Sequence, residues 1–321
     1  MRNGYFGIAR CIAITVAVII LFNVIGGIFL VALYGMNVEG GSPAVIIAVN
    51  GLAQLSVMLT APILITKNVR QNLSAVFRLE GLHETPTKVL VFGVPMMLLA
   101  QLVGSGLGML WTSLLQLIPS LFHTLTKLQD TLDKMMGSLT TAHSPEELIV
   151  LLIGISLIPA IAEEVFFRGF VQTNIERSGR KKPRPIIAII VTSILFAAMH
   201  ASPMNFPGLF TIGATLGWLA YRTNDIRVSM LAHALNNGLI VLSIYFFSGS
   251  EETVDALAGT PEMTITQALM LLGVSLPLFL MGLFLFQKWT EPLSARHNAE
   301  YELAAINDHH DTYEHHESVN E

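Results

Sequence analysis

Long apolar stretches separated by short polar segments dominate the pattern of this chain. About 20 consecutive apolar residues are needed for a helix to cross the hydrocarbon core of a bilayer. The first stretch is long enough to be a retained span rather than a cleaved signal peptide. The pattern therefore predicts an all-α, polytopic membrane helical bundle with about eight transmembrane helices, at residues 11–34, 43–66, 89–111, 148–170, 186–200, 206–221, 227–247 and 265–287.

The fifth and sixth of these spans are unusually short. Residues 186–221 must contain two helices and a turn, which leaves about 15 residues, or about 22 Å, for each helix. That length falls short of a hydrocarbon core of about 30 Å. The pair should either thin the bilayer locally or end with the tip of its hairpin inside the protein, where irregular backbone is tolerated.

The remaining segments have a polar character. Leucines at helical spacing between residues 120 and 147 predict an amphipathic helix on the outer surface. The polar, His-rich residues 289–321 are typical of a disordered tail. The predicted organisation begins with an N-terminal three-span region that includes the outer helix, residues 1–144, and a catalytic core, residues 145–247. An outer loop with the last span, residues 248–288, and the tail, residues 289–321, follow.

Composition agrees with this pattern. Of 321 residues, 52% are hydrophobic and only 13% are charged, against about 25% charged residues in soluble proteins. The net charge of −5 and the lack of a basic stripe argue against a nucleic-acid partner. The single cysteine, Cys11, excludes a disulfide framework and a cysteine-based metal site.

Basic residues indicate the orientation of the spans. Cytoplasmic loops of membrane proteins carry an excess of Lys and Arg. If the N-terminus is inside, fifteen of the 18 Lys and Arg residues fall on the cytoplasmic side. Both termini are therefore predicted to be cytoplasmic. The retained first span without a transit-type segment favours a bacterial plasma membrane.

Two adjacent glutamates interrupt the fourth span. A charged side chain at the centre of a spanning helix costs about 2.5 to 3.5 kcal/mol on insertion scales. Arg168 follows Glu164 by four residues and can pair with it on the same helical face. Glu163 points about 100° away from that face. An ion pair therefore accounts for Glu164 but leaves Glu163 available for chemistry.

Two histidines lie in later spans. His200 follows Phe196 by four residues, and His233 precedes Asn237 by four, so each pair shares a helical face. A histidine can carry protons near neutral pH, and a buried carboxylate can act as a general base. His200 lies too deep to meet the other residues unless the fifth helix begins in the cytosol or the short hairpin sits low with a buried tip. We favour the second arrangement.

Other intramembrane protease chemistries lack their residues. The chain contains no H-E-x-x-H zinc motif, and none of its six aspartates lies in the middle of a predicted span. Ser105 lacks the glycine two residues earlier that a rhomboid-like serine nucleophile would need, since position 103 is Val103. A carboxylate, two histidines and an amide remain.

These motifs, in this order on successive helices, resemble the CPBP family, also called the Abi family. It comprises type II CAAX prenyl endopeptidases and relatives linked to bacteriocin processing and immunity. The resemblance covers about residues 145–247. The resemblance implies an intramembrane endopeptidase in which Glu163 activates a water molecule and His200 helps to position that water. It also implies that His233 and Asn237 stabilise the oxyanion. The supporting residues that it implies are Glu164, Arg168 and Phe196.

The cofactor is left open between two arrangements. Zinc bound by Glu163, His200 and His233 with an open water position is chemically sound. A carboxylate base with His and Asn donors aimed at an oxyanion is sound without metal, and we favour it. The expected partners are the lipid bilayer and a membrane-associated peptide or protein substrate.

Two other functions use similar residues. A noncatalytic immunity or regulatory protein could keep these side chains for structural reasons. A proton-coupled transporter would also use buried Glu and His, but it would usually show internal repeats and broken helices in both halves. The complete set of motifs favours the endopeptidase.

The predicted orientation can be tested by cysteine labelling. In a Cys11→Ala background, we expect Lys127→Cys to react with a membrane-impermeant maleimide added to intact cells, because residue 127 is predicted to lie outside. Lys67→Cys should react only after permeabilisation. The opposite pattern would show that the orientation is inverted.

Overall fold

The computed structural model describes residues 4–35, 42–142, 144–179, 183–247 and 264–317, and within these ranges the regular structure is entirely helical. The helices are numbered in chain order: α1 Ile8–Tyr34, α2 Pro43–Asn68, α3 Leu73–Val76, α4 Thr87–Leu115, α5 Pro119–Thr140, α6 Pro145–Arg177, α7 Pro185–Met199, α8 Phe206–Thr223, α9 Ile226–Phe247 and α10 Ile265–Glu317. The predicted outer loop at residues 248–263 lies outside the described ranges.

Six of these helices, α1, α2, α4, α6, α9 and α10, are long and apolar enough to cross a membrane. The shorter helices α7 and α8 have 15 and 18 residues and occupy the two short spans of the prediction. Large apolar side chains face outward, as on α1, α4 and α10, where Ile28, Leu114 and Phe284 are 63, 59 and 60% exposed. A surface of this kind is suited to lipid. The chain is therefore an all-helical integral membrane protein, while eight crossings and cytoplasmic termini stay predictions.

Helix α6 carries the paired glutamates and is not a regular α-helix. It begins where Ser144 Oγ accepts a hydrogen bond from Glu147 N at 3.2 Å, with Pro145 in the first turn. Two π-helical segments, Leu152–Leu157 and Val165–Gln172, lie on either side of Glu163 and Glu164. Such wider turns change the direction of the side chains that follow and recur at functional sites.

Helix α2 packs closely along α6. Gly154 of α6 lies directly against the side chain of Ile47 on α2. One turn further on, a Cβ on Gly51 of α2 would lie only 3.0 Å from Cδ1 of Ile158 on α6. Residue numbers rise together along the contact, so the two helices run parallel. A parallel pair agrees with the predicted topology, in which both helices run from the outside to the inside.

The hairpin of α7 and α8 ends inside the protein. At its tip, Ser202 Oγ donates to Gln129 Oε1 of α5 at 2.9 Å, and Trp111 Nε1 of α4 donates to Pro203 O at 3.0 Å. Met204 is buried. Neighbouring helices therefore cover the tip, as predicted from the shortness of the hairpin.

Helix α10 extends past the last span into the segment 289–321 and ends at Glu317; residues 318–321 lie outside the described ranges. Near the start of this segment, the guanidinium of Arg222 on α8 donates to Thr290 Oγ1, Ser294 Oγ and Gln287 O at 2.8–3.1 Å. No Gly or Pro follows Pro292 in the helix, and Ala, Leu and Glu in this stretch favour helix. The disorder predicted for the tail stays a prediction.

A substitution pair on α4 tests the packing of the hairpin. A Cβ on Gly104 would lie 2.9 Å from Gly208 Cα on α8, whereas nothing lies within 4 Å of a Cβ on Gly108. We expect Gly104→Ala to lower stability by about 1–3 kcal/mol through overpacking, and Gly108→Ala to have little effect. Thermal unfolding in detergent measures both, and equal stabilities would contradict this packing.

Candidate active site

Glu164 is the most fully engaged charge in the bundle. Its side chain is completely buried, and Oε1 lies 3.2 Å from Nη1 of Arg168 and 3.0 Å from Nδ1 of His233. The contact with Arg168 is the one that the spacing of the two residues predicts. The contact with His233 was not predicted, because it joins α6 to α9 across 69 residues of sequence.

Arg168 connects α6 to the short hairpin. Its Nη2 donates to Gly213 O of α8 at 3.2 Å, and its Cζ lies 4.5 Å from the centroid of the Phe196 ring of α7. A guanidinium over an aromatic face is attracted by the ring quadrupole. The charge of Arg168 therefore holds three helices together without contact with water.

Phe196 lies at the centre of the cluster. Its ring centroid is 4.6 Å from that of His200 and 5.9 Å from that of His233. The two histidines therefore border the same aromatic ring, although they come from different helices. The structure thus brings the glutamate, phenylalanine and histidine motifs to one place, including the histidine that seemed too deep.

Glu163 faces a different neighbour from Glu164. It is 4% exposed, and its Oε1 accepts a hydrogen bond from Gln54 Nε2 of α2 at 3.0 Å. Its second oxygen, Oε2, has no hydrogen-bond partner among the described residues. Glu164 Oε2 likewise has no hydrogen-bond partner among the described residues, so the two glutamates differ in their neighbours: Glu164 contacts Arg168 and Glu163 contacts Gln54. That Arg168 pairs with Glu164 follows the prediction from helix geometry.

The hydrogen bonds of the two histidines indicate where their protons lie. His200 Nδ1 is 2.8 Å from Phe196 O, and a carbonyl only accepts, so Nδ1 carries the hydrogen. His233 Nδ1 faces a carboxylate and is likewise the donor. In both rings this leaves Nε2 for other chemistry. His200 is also the more exposed of the two.

Asn237 is anchored to the backbone of α6, at the carbonyl of Ile155 in a π-helical segment. Asn237 Nδ2 donates to that carbonyl at 3.2 Å. Its amide has two hydrogens, so one remains for another acceptor. The predicted pairing of Asn237 with His233 in oxyanion binding stays a prediction.

Four ionisable side chains of the cluster are buried together. Glu163, Glu164, Arg168 and His233 are all at most 4% exposed. Buried charges are costly unless they are paired, so the contacts of Glu164 with Arg168 and His233 support the whole group.

The side chains that could bind zinc are Glu163, through Oε2, and the two histidines, through Nε2; all three are suitable ligands in their chemistry. In the described part of the chain, however, no three His, Cys, Asp or Glu side chains are grouped so as to hold a metal ion. The choice between a metal-dependent and a metal-free site stays a prediction.

Sequence reasoning missed Gln54 and Ser156. Ser156 Oγ donates to Ala234 O and joins α6 to α9, while Gln54 is buried and bonded to Glu163. The available signal was a glutamine within an apolar span, since polar side chains at that depth need a partner. Its partner could not be identified from sequence because the two residues are 109 positions apart.

This fold and site define a membrane-embedded helical domain with a buried carboxylate and two histidines around one aromatic ring. Residues 145–239 match the family model described as "Type II CAAX prenyl endopeptidase Rce1-like". The match confirms, for this segment, the resemblance inferred from the motifs. No curated protein and no solved structure matches the chain.

Breaking the buried ion pair should be costly. We expect Arg168→Met to destabilise the protein by about 3–5 kcal/mol, because it leaves Glu164 buried without its cation. The double variant Glu164→Gln, Arg168→Met should recover part of this loss. Unfolding in detergent by heat or denaturant measures the series, and a double variant no more stable than Arg168→Met would show that the pairing is unimportant.

Proposed function

We propose that the protein is an intramembrane endopeptidase that hydrolyses a peptide bond with water activated by Glu163. The observation that supports this most directly is the buried Glu163 carboxylate, which has one oxygen held by Gln54 and the other without a partner in the described residues. Glu164 Oε2 also lacks a hydrogen-bond partner in the described residues, but Glu164 Oε1 is engaged by both Arg168 and His233. We therefore assign the reaction to Glu163 and the supporting role to Glu164.

In the first step, Glu163 Oε2 accepts a proton from a water molecule while the water oxygen attacks the carbonyl carbon of the substrate. A new C–O bond forms, and the carbonyl π electrons move to the oxygen as an oxyanion. General-base assistance of this kind contributes about 10²- to 10⁴-fold. The apolar surroundings strengthen each electrostatic contact in the site.

The oxyanion needs hydrogen-bond donors. We assign this role to His233 through Nε2–H and to Asn237 through its second amide hydrogen. Glu164 holds His233 by Nδ1 at 3.0 Å, and this orients the ring and stabilises its cation. A donor placed at a developing oxyanion is worth about 3–4 kcal/mol of transition-state stabilisation.

The intermediate then collapses. The C–N bond breaks, the oxyanion returns to a carbonyl, and the proton taken up by Glu163 passes to the leaving amine. His200 presents Nε2 as an acceptor, because its Nδ1 donates to Phe196 O, and it is assigned to positioning the water. The products are a carboxylic acid and an amine, and Glu163 returns to its starting form.

The substrate proposed is a membrane-associated peptide or protein with a prenylated C-terminal C-a-a-X sequence, as the description of the matching family indicates. Relatives linked to bacteriocin processing and immunity make a bacterial peptide the other candidate of the same class. We place the protein in a bacterial plasma membrane.

Replacement of Glu163 tests the proposal. We expect Glu163→Gln to lower cleavage of a quenched fluorescent C-a-a-X peptide, farnesylated on its cysteine, by at least about 100-fold, because the base is lost. The matched control is Glu146→Gln, at an exposed position near the start of the same helix, which should retain activity. Both variants should insert and unfold like the parent protein.

Removal of metal ions by a chelator distinguishes the glutamate mechanism from a zinc-dependent one. Full activity after exhaustive chelation would support the glutamate mechanism, whereas stoichiometric zinc dependent on His200 and His233 would refute it. If a biological phenotype of the protein persists in Glu163→Gln, the function is noncatalytic.

A further inference from the structure

Gln54 is an active-site contact supplied from outside the segment that matches the protease family. It lies on α2, and the matching segment begins at residue 145. Its side chain is 7% exposed, and Nε2 donates to Glu163 Oε1 at 3.0 Å. Oε1 of Glu163 is therefore occupied by this hydrogen bond, and Oε2 is left for the reaction.

The position of Gln54 is determined by close helix packing. Gly51 lies one turn before Gln54 and contacts Ile158, with 3.0 Å between a Cβ at Gly51 and Cδ1 of Ile158. Gly154 lies against Ile47 one turn earlier still. Small residues permit this approach of two spans. The contact continues to Gln54 and Glu163, so the amide reaches the carboxylate from a rigid helix.

The chemistry of an amide suits this position. A hydrogen bond from a neutral N–H to a carboxylate is stronger than one between neutral groups, and it adds no charge to the site. Gln54 also carries an amide oxygen, Oε1, that is buried without a hydrogen-bond partner among the described residues. Each residue of the bonded pair therefore keeps one buried acceptor, Gln54 Oε1 and Glu163 Oε2.

We propose that Gln54 is a positioning residue of the protease, which holds Glu163 Oε1 and thereby leaves Oε2 for the nucleophilic water. This proposal rests on the function proposed above, in which Glu163 is the base. It makes the N-terminal spans part of the catalytic unit rather than only a membrane anchor.

Three variants test the proposal with the same farnesylated peptide. Gln54→Leu keeps a similar size but removes the donor, and we expect kcat to fall by about 10- to 100-fold with little change in KM, because a misplaced base slows the chemical step. Gln54→His retains an N–H donor and should restore part of kcat. Asn50→Leu, at an exposed amide one turn earlier on the same helix, is the matched control and should behave like the parent protein.

The outcomes distinguish this proposal from the proposed function. Parent-like kcat in Gln54→Leu, with Glu163→Gln inactive, would overturn the role of Gln54 and leave the protease mechanism intact. If Glu163→Gln still cleaves the peptide, the mechanism itself is wrong. A fall in kcat that comes with a lower unfolding temperature, and that Gln54→His does not restore, would overturn the proposal in favour of a structural role.

Discussion

The arrangement of the site depends on the burial of one carboxylate, Glu164, in an apolar bundle. A charge there is stable only if it is paired and hydrogen-bonded, and Glu164 meets this condition through Arg168 on its own helix and His233 on α9. Arg168 in turn contacts the hairpin through Gly213 O and the Phe196 ring. Four helices, α6, α7, α8 and α9, are thereby linked through one ionised side chain. Both histidines lie beside the ring of Phe196, at 4.6 and 5.9 Å between ring centroids.

Irregularities in the helices contribute as much as the charges. The carbonyl of Ile155, in a π-helical segment of α6, accepts a hydrogen bond from Asn237 Nδ2 of α9. The π-helical segments before and after the glutamates change the direction of successive side chains. Each of these features would weaken an isolated helix. In the bundle, the groups they release are taken up by neighbours, as is typical of broken or distorted helices within membranes.

The limits of the family match do not coincide with the limits of the site. Residues 145–239 contain the glutamates, both histidines and Asn237, so the match covers the residues that define the class. The described contacts of these residues reach further, since Glu163 is bonded to Gln54 on α2. The tip of the hairpin is likewise covered by Trp111 and Gln129 from α4 and α5. A scaffold outside the matched segment therefore shapes the environment of the motifs within it.

Local information along the chain was sufficient for the helices, for the short hairpin, for the pairing of Arg168 with Glu164 and for the resemblance that the family match of residues 145–239 supports. Each of these depends on residues a few positions apart or on the length of an apolar run, and a helix converts such spacing directly into geometry. The contacts of Glu164 with His233 and of Glu163 with Gln54 were decided only by tertiary structure, because they join helices 69 and 109 residues apart. The contacts of Arg222 with α10 are of the same kind, since they join residues 68 and 72 positions apart. The sequence by itself determined which charges must be buried, and packing determined which partners stabilise them.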